Sequence, residues 1–132
     1  MSKPVSRSEQ LIAAMHYQAL KALSQAPSGQ LHPNALLAEI EKNTTLDDWA
    51  KTVYENGNTR WRSIFGFASV GLVKGGYVTK SKGGWSITDE GRAAIAKPYD
   101  GAAFVKEVRQ RYRAWKNSQI ISSPSTIDTV ED

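Results

Sequence analysis

The sequence has no cysteine, and it nowhere contains a long uninterrupted apolar run. The first absence excludes disulfides, thiolate zinc sites and cysteine nucleophiles, and it favours an intracellular, cytoplasmic location. The second excludes a membrane span of about 20 apolar residues, and residues 1–10 lack the apolar region of a secretory signal. With 132 residues, 40% of them hydrophobic, we expect a soluble chain about the size of one domain.

Acidic residues are scarce in one part of the chain. Residues 1–117 hold all 17 cations but only ten of the 13 acids. Between Glu55 and Asp89 there is no acid, and a second basic cluster covers residues 106–116. Such a local excess suits a polyanionic partner, although a solubilising surface would show the same composition.

The predicted elements are helices followed by a hairpin. Apolar residues recur every three or four positions after polar caps, which predicts helices. The first begins at Ser6 or Ser8 and is ended by residues 27–29, and the second begins at Pro33 and is ended by residues 43–45. Four further helices are expected over residues 46–54, 59–74, 88–96 and 100–115. Strand-like runs at 77–80 and 85–88 flank a turn at 81–84, and a short edge strand is expected near Leu31.

This order predicts an α+β fold, mainly α. A lone hairpin cannot bury its apolar face, so it packs on the helices and leaves its loop projecting. The expected architecture is a winged helix-turn-helix with a two- or three-stranded wing sheet and an additional C-terminal helix. We divide the chain into a winged-helix domain (1–97), a C-terminal helix for packing or dimerisation (98–117) and a disordered acidic tail (118–132).

The stretch from Trp61 to Gly91 resembles the N-terminal winged-helix domain of Mrr-type modified-DNA restriction proteins. That pattern is a helix ending in Leu, a Gly, an apolar strand, a Gly-Trp turn and strand, and Thr-x-x-Gly opening a helix. Its places are taken here by Ala68, Leu72, Gly76, Trp85, Thr88 and Gly91. The resemblance covers about residues 10–97, and Gly66 and Gly71 inside the fourth helix depart from it. It implies a DNA-reading module that works with a separate nuclease or motor domain, for which this chain has no room.

Double-stranded DNA is therefore the expected partner. The helix from residue 59 would enter or approach the major groove, and the wing would contact the adjacent backbone or minor groove. Arginine suits bidentate contact with guanine, and hydroxyls bond phosphates or bases. The candidate DNA-binding residues are Thr59, Arg60, Arg62, Ser63, Lys74, Lys80, Ser81 and Lys82. The hypothesis depends on Arg60, Arg62, Lys80 and Lys82 converging on one face.

Other chemistry finds little support in the sequence. His16 lies on an apolar helix face and His32 in a loop, so we interpret both as structural and expect no metal site. No catalytic residues and no cofactor are predicted, because the glycines around Gly66 and Gly71 lack the Lys and Ser/Thr of a phosphate loop. Tyr77, Trp85, Trp49 and Trp61 are expected in the core, and Phe67 is expected to be partly buried.

Two classes of function stay open at this point. The first is a DNA-binding protein that reads modified DNA in a restriction or defence context, or regulates transcription. The second is a protein-interaction adaptor that uses the winged helix and C-terminal helix without nucleic acid. The apolar stripe Phe104, Val108, Tyr112 and Trp115 could pair two copies of the chain or bind a separate effector protein.

Overall fold

The computed structural model of the protein describes residues 6–82 and 84–122. Its elements are α1 (Arg7–Gln25), a 3-10 turn (Pro27–Gly29), β1 (Gln30–Leu31), α2 (Pro33–Asn43), α3 (Arg60–Lys74), β2 (Val78–Ser81), β3 (Gly84–Ile87), α4 (Asp89–Ala96) and α5 (Gly101–Ser122). The predicted α+β, mainly α, architecture is confirmed. Among the described residues, no helix is both long and apolar enough to cross a bilayer.

The three strands form one antiparallel sheet in the order β1-β3-β2. Trp85 of the central strand pairs with Leu31 of β1 on one side and with Lys80 of β2 on the other. Strand β1, which precedes the hairpin in the sequence, thus pairs with β3 and gives the sheet its third strand. This connection ties the wing to the segment between α1 and α2.

Side-chain caps begin several helices, and the cap of α1 lies where the sequence predicted it. Ser6 and Glu9 form a reciprocal capping box at α1, in which the Ser6 side chain accepts from the Glu9 amide at 3.1 Å. At α2 the His32 ring nitrogen accepts from the Asn34 amide at 3.1 Å, one residue after Pro33. His32 therefore has a structural role at this helix start.

The Thr-x-x-Gly motif joins the wing to α4. The Thr88 hydroxyl donates to the Gly76 carbonyl at 2.6 Å and accepts from the Gly91 amide at 3.1 Å. A Cβ atom at Gly91 would lie 2.4 Å from the Tyr77 carbonyl oxygen, so only glycine allows this close approach. The motif fixes the start of α4 against the start of β2.

One apolar cluster extends through the described part of the molecule. Its buried members come from α1, α2, α3, β2, α5 and the segments on either side of α3, and the largest include Met15, Leu20, Leu36, Ile40, Trp61, Phe65, Leu72, Tyr77 and Phe104. Burying side chains of this size stabilises the fold by about 1.5 to 3 kcal/mol each. Tyr77 and Trp61 are core residues as predicted, whereas Trp49 and Trp85 pack against the cluster and are only partly buried.

Helix α5 is held to the domain by polar contacts as well as by its apolar face. The Tyr77 hydroxyl donates to the Glu107 carboxylate. The Arg111 guanidinium lies 4.7 Å from the Tyr77 ring centroid and donates to the Gly75 carbonyl at 3.0 Å. These bonds connect α5 to the turn between α3 and β2.

The helix predicted over residues 46–54 is wrong. The segment between α2 and α3 contains a turn at residues 48–51 and an isolated bridge between Val53 and Thr59. Its backbone bonds reach forward to α3: the amides of Arg60 and Trp61 donate to the carbonyls of Thr52 and Ala50 at 2.8 and 3.0 Å. Those carbonyls are therefore not available for successive helical bonds.

The end of α5 also differs from the sequence expectation. The predicted helix over 100–115 continues to Ser122, so residues 118–122 are helical rather than part of a disordered tail. The physical reason is that no helix breaker occurs before Pro124. The rest of the predicted tail, residues 123–132, lies outside the described part of the chain.

Candidate nucleic-acid interface

Helix α3 has a buried side and an exposed side. Trp61, Phe65 and Leu72 lie in the core, while Arg62 and Phe67 are exposed to solvent. The separation follows from the helical period of 3.6 residues, which puts positions 61, 65, 68 and 72 in one row. The expected core position of Trp61 agrees with this buried side.

Arg62 and Lys80 lie around the same shallow cavity. It has a volume of about 210 Å³ and is bordered by α2, α3 and the wing. Its floor includes Leu37, Phe65 and Trp85, whose indole lies under the Lys80 ammonium at 4.4 Å. A cation from α3 and a cation from the wing therefore flank one apolar depression.

The Arg60 side chain is held by contacts with other residues of the protein. Its guanidinium donates to the Trp49 carbonyl at 3.1 Å and to the Tyr54 hydroxyl at 3.3 Å. It also lies 4.7 Å from the centroid of the Trp49 ring. These contacts hold the segment between α2 and α3 against the start of α3, so Arg60 does not accompany Arg62 and Lys80 at the cavity.

The remaining candidates occupy different parts of the surface. Lys82 is exposed at the hairpin turn, and the Ser81 hydroxyl is within 3.4 Å of the Gly84 carbonyl. Ser63 is half-buried. Lys74 is at the other end of α3, about 18 Å along the helix axis from Arg62, and its ammonium lies 4.4 Å from the Trp115 ring centroid on α5.

Thr59, a candidate DNA-binding residue, stands at the N-cap position of α3 but does not cap the helix through its side chain. Its hydroxyl oxygen is buried and has no hydrogen-bond partner among the described residues. The first amides of the helix bond instead to carbonyls of the preceding segment. These bonds satisfy donors that a capping side chain would otherwise take.

None of the ion pairs among the described residues involves Arg62, Lys80 or Lys82. All three ion pairs involve α5: Arg109 pairs with Glu9, and Arg111 contacts Glu90 and Glu107 at 3.3 and 3.7 Å. The Arg109 guanidinium holds the pKa of Glu9 below its usual value. In the same part of the chain, Arg62, Lys80 and Lys82 have no carboxylate partner, so their charge is available to an external anion.

Phe67 is more exposed than the sequence predicted. Its side chain is 84% exposed, and Val70, one turn later, is 39% exposed. Phe67 lies five residues after Arg62, on the side of α3 away from Phe65, where no described segment covers it. The expectation of partial burial was wrong because helical position alone does not show which neighbours cover a residue.

The two histidines do not form a metal site with other described residues. Within residues 6–82 and 84–122 there is no group of three or more His, Cys, Asp or Glu side chains arranged to hold a metal ion. His16 is buried, and its Nε2–H faces the Ala68 carbonyl oxygen at 3.4 Å. The structural interpretation of His16 agrees with this position.

Sequence reasoning missed the apolar floor between the two cations. Leu37 and Trp85 belong to elements about 50 residues apart, and their meeting depends on the pairing of β1 with β3. The alternation in the hairpin indicated a strand, but it could not indicate that Trp85 shares a cavity with α2. The edge strand near Leu31 was expected, but its pairing with β3, which brings the wing beside α2, was not.

A three-stranded sheet in the order β1-β3-β2, packed on three helices, with free cations on α3 and the hairpin, defines a protein of the winged-helix class. The family model for the Mrr N-terminal domain matches residues 14–97, and the chain belongs to that family. The resemblance inferred from residues 61–91 is thus confirmed. No curated protein and no solved structure matches the chain.

Proposed function

We propose that the protein binds double-stranded DNA through α3 and the wing. The observation that carries the proposal is the pair of free cations, Arg62 and Lys80, at the edge of one cavity between these elements. In a winged helix these two elements face the major groove and the adjacent backbone. The membership in the Mrr N-terminal domain family supports a role in DNA restriction or defence.

The roles of the candidate residues differ within this proposal. Arg62 is placed to contact a base edge or phosphate, and Lys80, Ser81 and Lys82 contact the backbone without reading sequence. Arg60 acts indirectly, because its contacts to Trp49 and Tyr54 fix the start of α3. In this proposal the protein itself only binds DNA, and a separate effector protein carries out any cleavage.

Modified bases are the finer part of the proposal. A methyl group at C5 of a pyrimidine projects into the major groove, where apolar side chains can contact it. Phe67 offers a large apolar surface on the exposed side of α3. We therefore assign Phe67 as the candidate contact to such a group.

The test is duplex binding measured by fluorescence anisotropy over a range of salt concentrations. We expect the double variant Arg62→Ala/Lys80→Ala to bind at least about tenfold more weakly, and the salt slope to fall by about 1 to 2, since each lost phosphate contact removes about 0.9. Lys97→Ala removes an exposed cation outside α3 and the wing and is the matched control. A methylated duplex should compete better than an unmodified one at fixed salt, and Phe67→Ala should remove that preference.

The proposal fails if the wild-type chain binds duplexes no better than a neutral control protein, or if the double variant and Lys97→Ala bind equally. In that case the adaptor function gains support. The observation that favours the adaptor is the exposed apolar surface at Phe67 and Val70, which a protein partner could cover.

A further inference from the structure

A largely apolar groove runs between α3 and α5, and it shares no lining residue with the Arg62 cavity. Its volume is about 710 Å³, and its walls include Ile12, Ile64, Phe67, Val70, Val108 and Tyr112. Phe67 and Val70 are the exposed apolar residues of α3 described above. No part of the chain that the structure describes covers this groove, and so it has the character of a docking surface.

The α5 edge of the groove is cationic. Arg109, Arg113 and Lys116 line it and recur at helical spacing along one side of α5. Arg109 is paired with Glu9, whereas Arg113 and Lys116 have no ion pair among the described residues. An occupant that combines apolar side chains with acidic ones would match both the walls and the edge.

A second copy of the chain is a poorer match. A two-fold pair buries the same patch on both copies. Pairing through this groove would therefore bring the Arg113 and Lys116 cations of both copies into one interface, with no described carboxylate of the groove to neutralise them. The charge of the edge argues for an acidic segment instead.

Residues 123–132 of this chain have that chemistry and lie within reach. They follow α5 and contain Ile127 and Val130 together with Asp128, Glu131 and Asp132, and no cation. Lys116 and Arg113 are about 9 and 14 Å back from Ser122 along the axis of α5. Asp128, six residues beyond Ser122, can reach about 20 Å in an extended chain.

We propose that residues 123–132 fold back into the α3–α5 groove, with Ile127 and Val130 against Phe67 and Val70 and the acids beside Arg113 and Lys116. Covalent attachment favours such a contact because it gives the segment a millimolar effective concentration at the groove. The bound segment would cover Phe67. It would therefore compete with DNA for α3, a consequence that rests on the proposed function, whereas the docking itself does not.

The experiment compares amide NMR spectra of the full-length chain and of full-length variants. Ile127→Ser/Val130→Ser and Asp128→Asn/Glu131→Gln/Asp132→Asn should each shift the amides of Phe67, Val70 and Tyr112. The control Glu41→Gln/Asp48→Asn/Glu55→Gln, which neutralises three exposed acids away from the groove, should leave those amides in place. The charge swap Arg113→Glu/Lys116→Glu combined with Asp128→Lys/Glu131→Lys should restore the wild-type pattern that Arg113→Glu/Lys116→Glu alone removes.

Shifts confined to residues 118–132 would overturn the proposal. A doubled mass by light scattering, with groove shifts that depend on protein concentration, would overturn it in favour of a second copy. Duplex binding gives a separate readout: Ile127→Ser/Val130→Ser leaves the charge unchanged and should bind DNA about threefold more tightly. If the chain binds no duplex at all, the NMR result still decides the docking, so the two proposals fail separately.

Discussion

At the scale of single residues, His16 is a titratable side chain enclosed by apolar neighbours. Burial lowers its pKa from 6.5 to about 4, and its Nδ1 atom has no hydrogen-bond partner among the described residues. Phe104 packs edge-on against the ring, with the centroids 5.7 Å apart. Protonation of the folded state would therefore place an unsolvated charge in the core.

This pKa predicts an acid-sensitive fold. Below pH 6.5 the unfolded chain takes up a proton at His16 while the folded chain stays neutral until about pH 4. The free energy of unfolding should then fall by up to about 3 kcal/mol across that window and keep its full value above it. Urea unfolding at several pH values measures this loss. His16→Leu shares all the carboxylates of the wild type, so a pH dependence identical to wild type would contradict the prediction.

At the scale of residues, the sequence predicted correctly where the cations lie along α3, but it did not predict which of them is held by contacts within the protein. Both Arg60 and Arg62 were predicted at the start of α3, and both are there. The sequence could not show that Arg60 lies against Trp49 and Tyr54, because that contact depends on a segment without regular structure. An aromatic pair in an otherwise polar connection was the available signal that a nearby cation would be held internally.

At the scale of elements, the two glycines inside α3 differ in their surroundings. Both depart from the family pattern, yet α3 is continuous from Arg60 to Lys74. A Cβ atom at Gly66 would meet nothing within 4 Å, whereas one at Gly71 would lie 2.7 Å from Cγ1 of Val108 on α5. Gly71 therefore permits the close approach of the two helices.

The matched substitutions should have opposite effects on stability. Gly66→Ala should raise the free energy of unfolding by up to about 1 kcal/mol, the usual helix-propensity difference. Gly71→Ala gains the same propensity but forces Val108 away, so it should destabilise by about 1 to 3 kcal/mol. Thermal unfolding followed by circular dichroism compares the two, and equal stabilisation by both would show that α5 does not pack against α3 in this way.

Elements with strong local signals were predicted well, and elements decided by distant partners were not. The capping box at Ser6 and the Thr88 motif are local in sequence, and α1 and α4 begin there. The segment over 46–54 also has helical periodicity, but its carbonyls bond to the amides at the start of α3. Such tertiary bonds override a weak local preference over so short a stretch.

At the scale of the whole molecule, the core extends beyond the region that matches the family. The match ends at residue 97, whereas Phe104, Val105 and Val108 of α5 are buried. Phe104 lies 5.0 Å from the Tyr77 ring centroid. Helix α5 thus forms one wall of the same core, and the boundary proposed at residue 97 separates parts that pack together.

A chain ended after Lys97 should therefore lose cooperative folding. Removing three buried side chains costs about 5 to 9 kcal/mol at 1.5 to 3 kcal/mol each, which is comparable to the whole stability of a small domain, about 5 to 15 kcal/mol. A chain ended after Ser118 keeps the three side chains and the Arg111 contacts, and it should unfold cooperatively near the wild-type temperature. Calorimetry distinguishes the two. If the shorter chain melts at the wild-type temperature, α5 is an independent appendage; if it does not, the proposed DNA-binding surface depends on α5 for the support of α3.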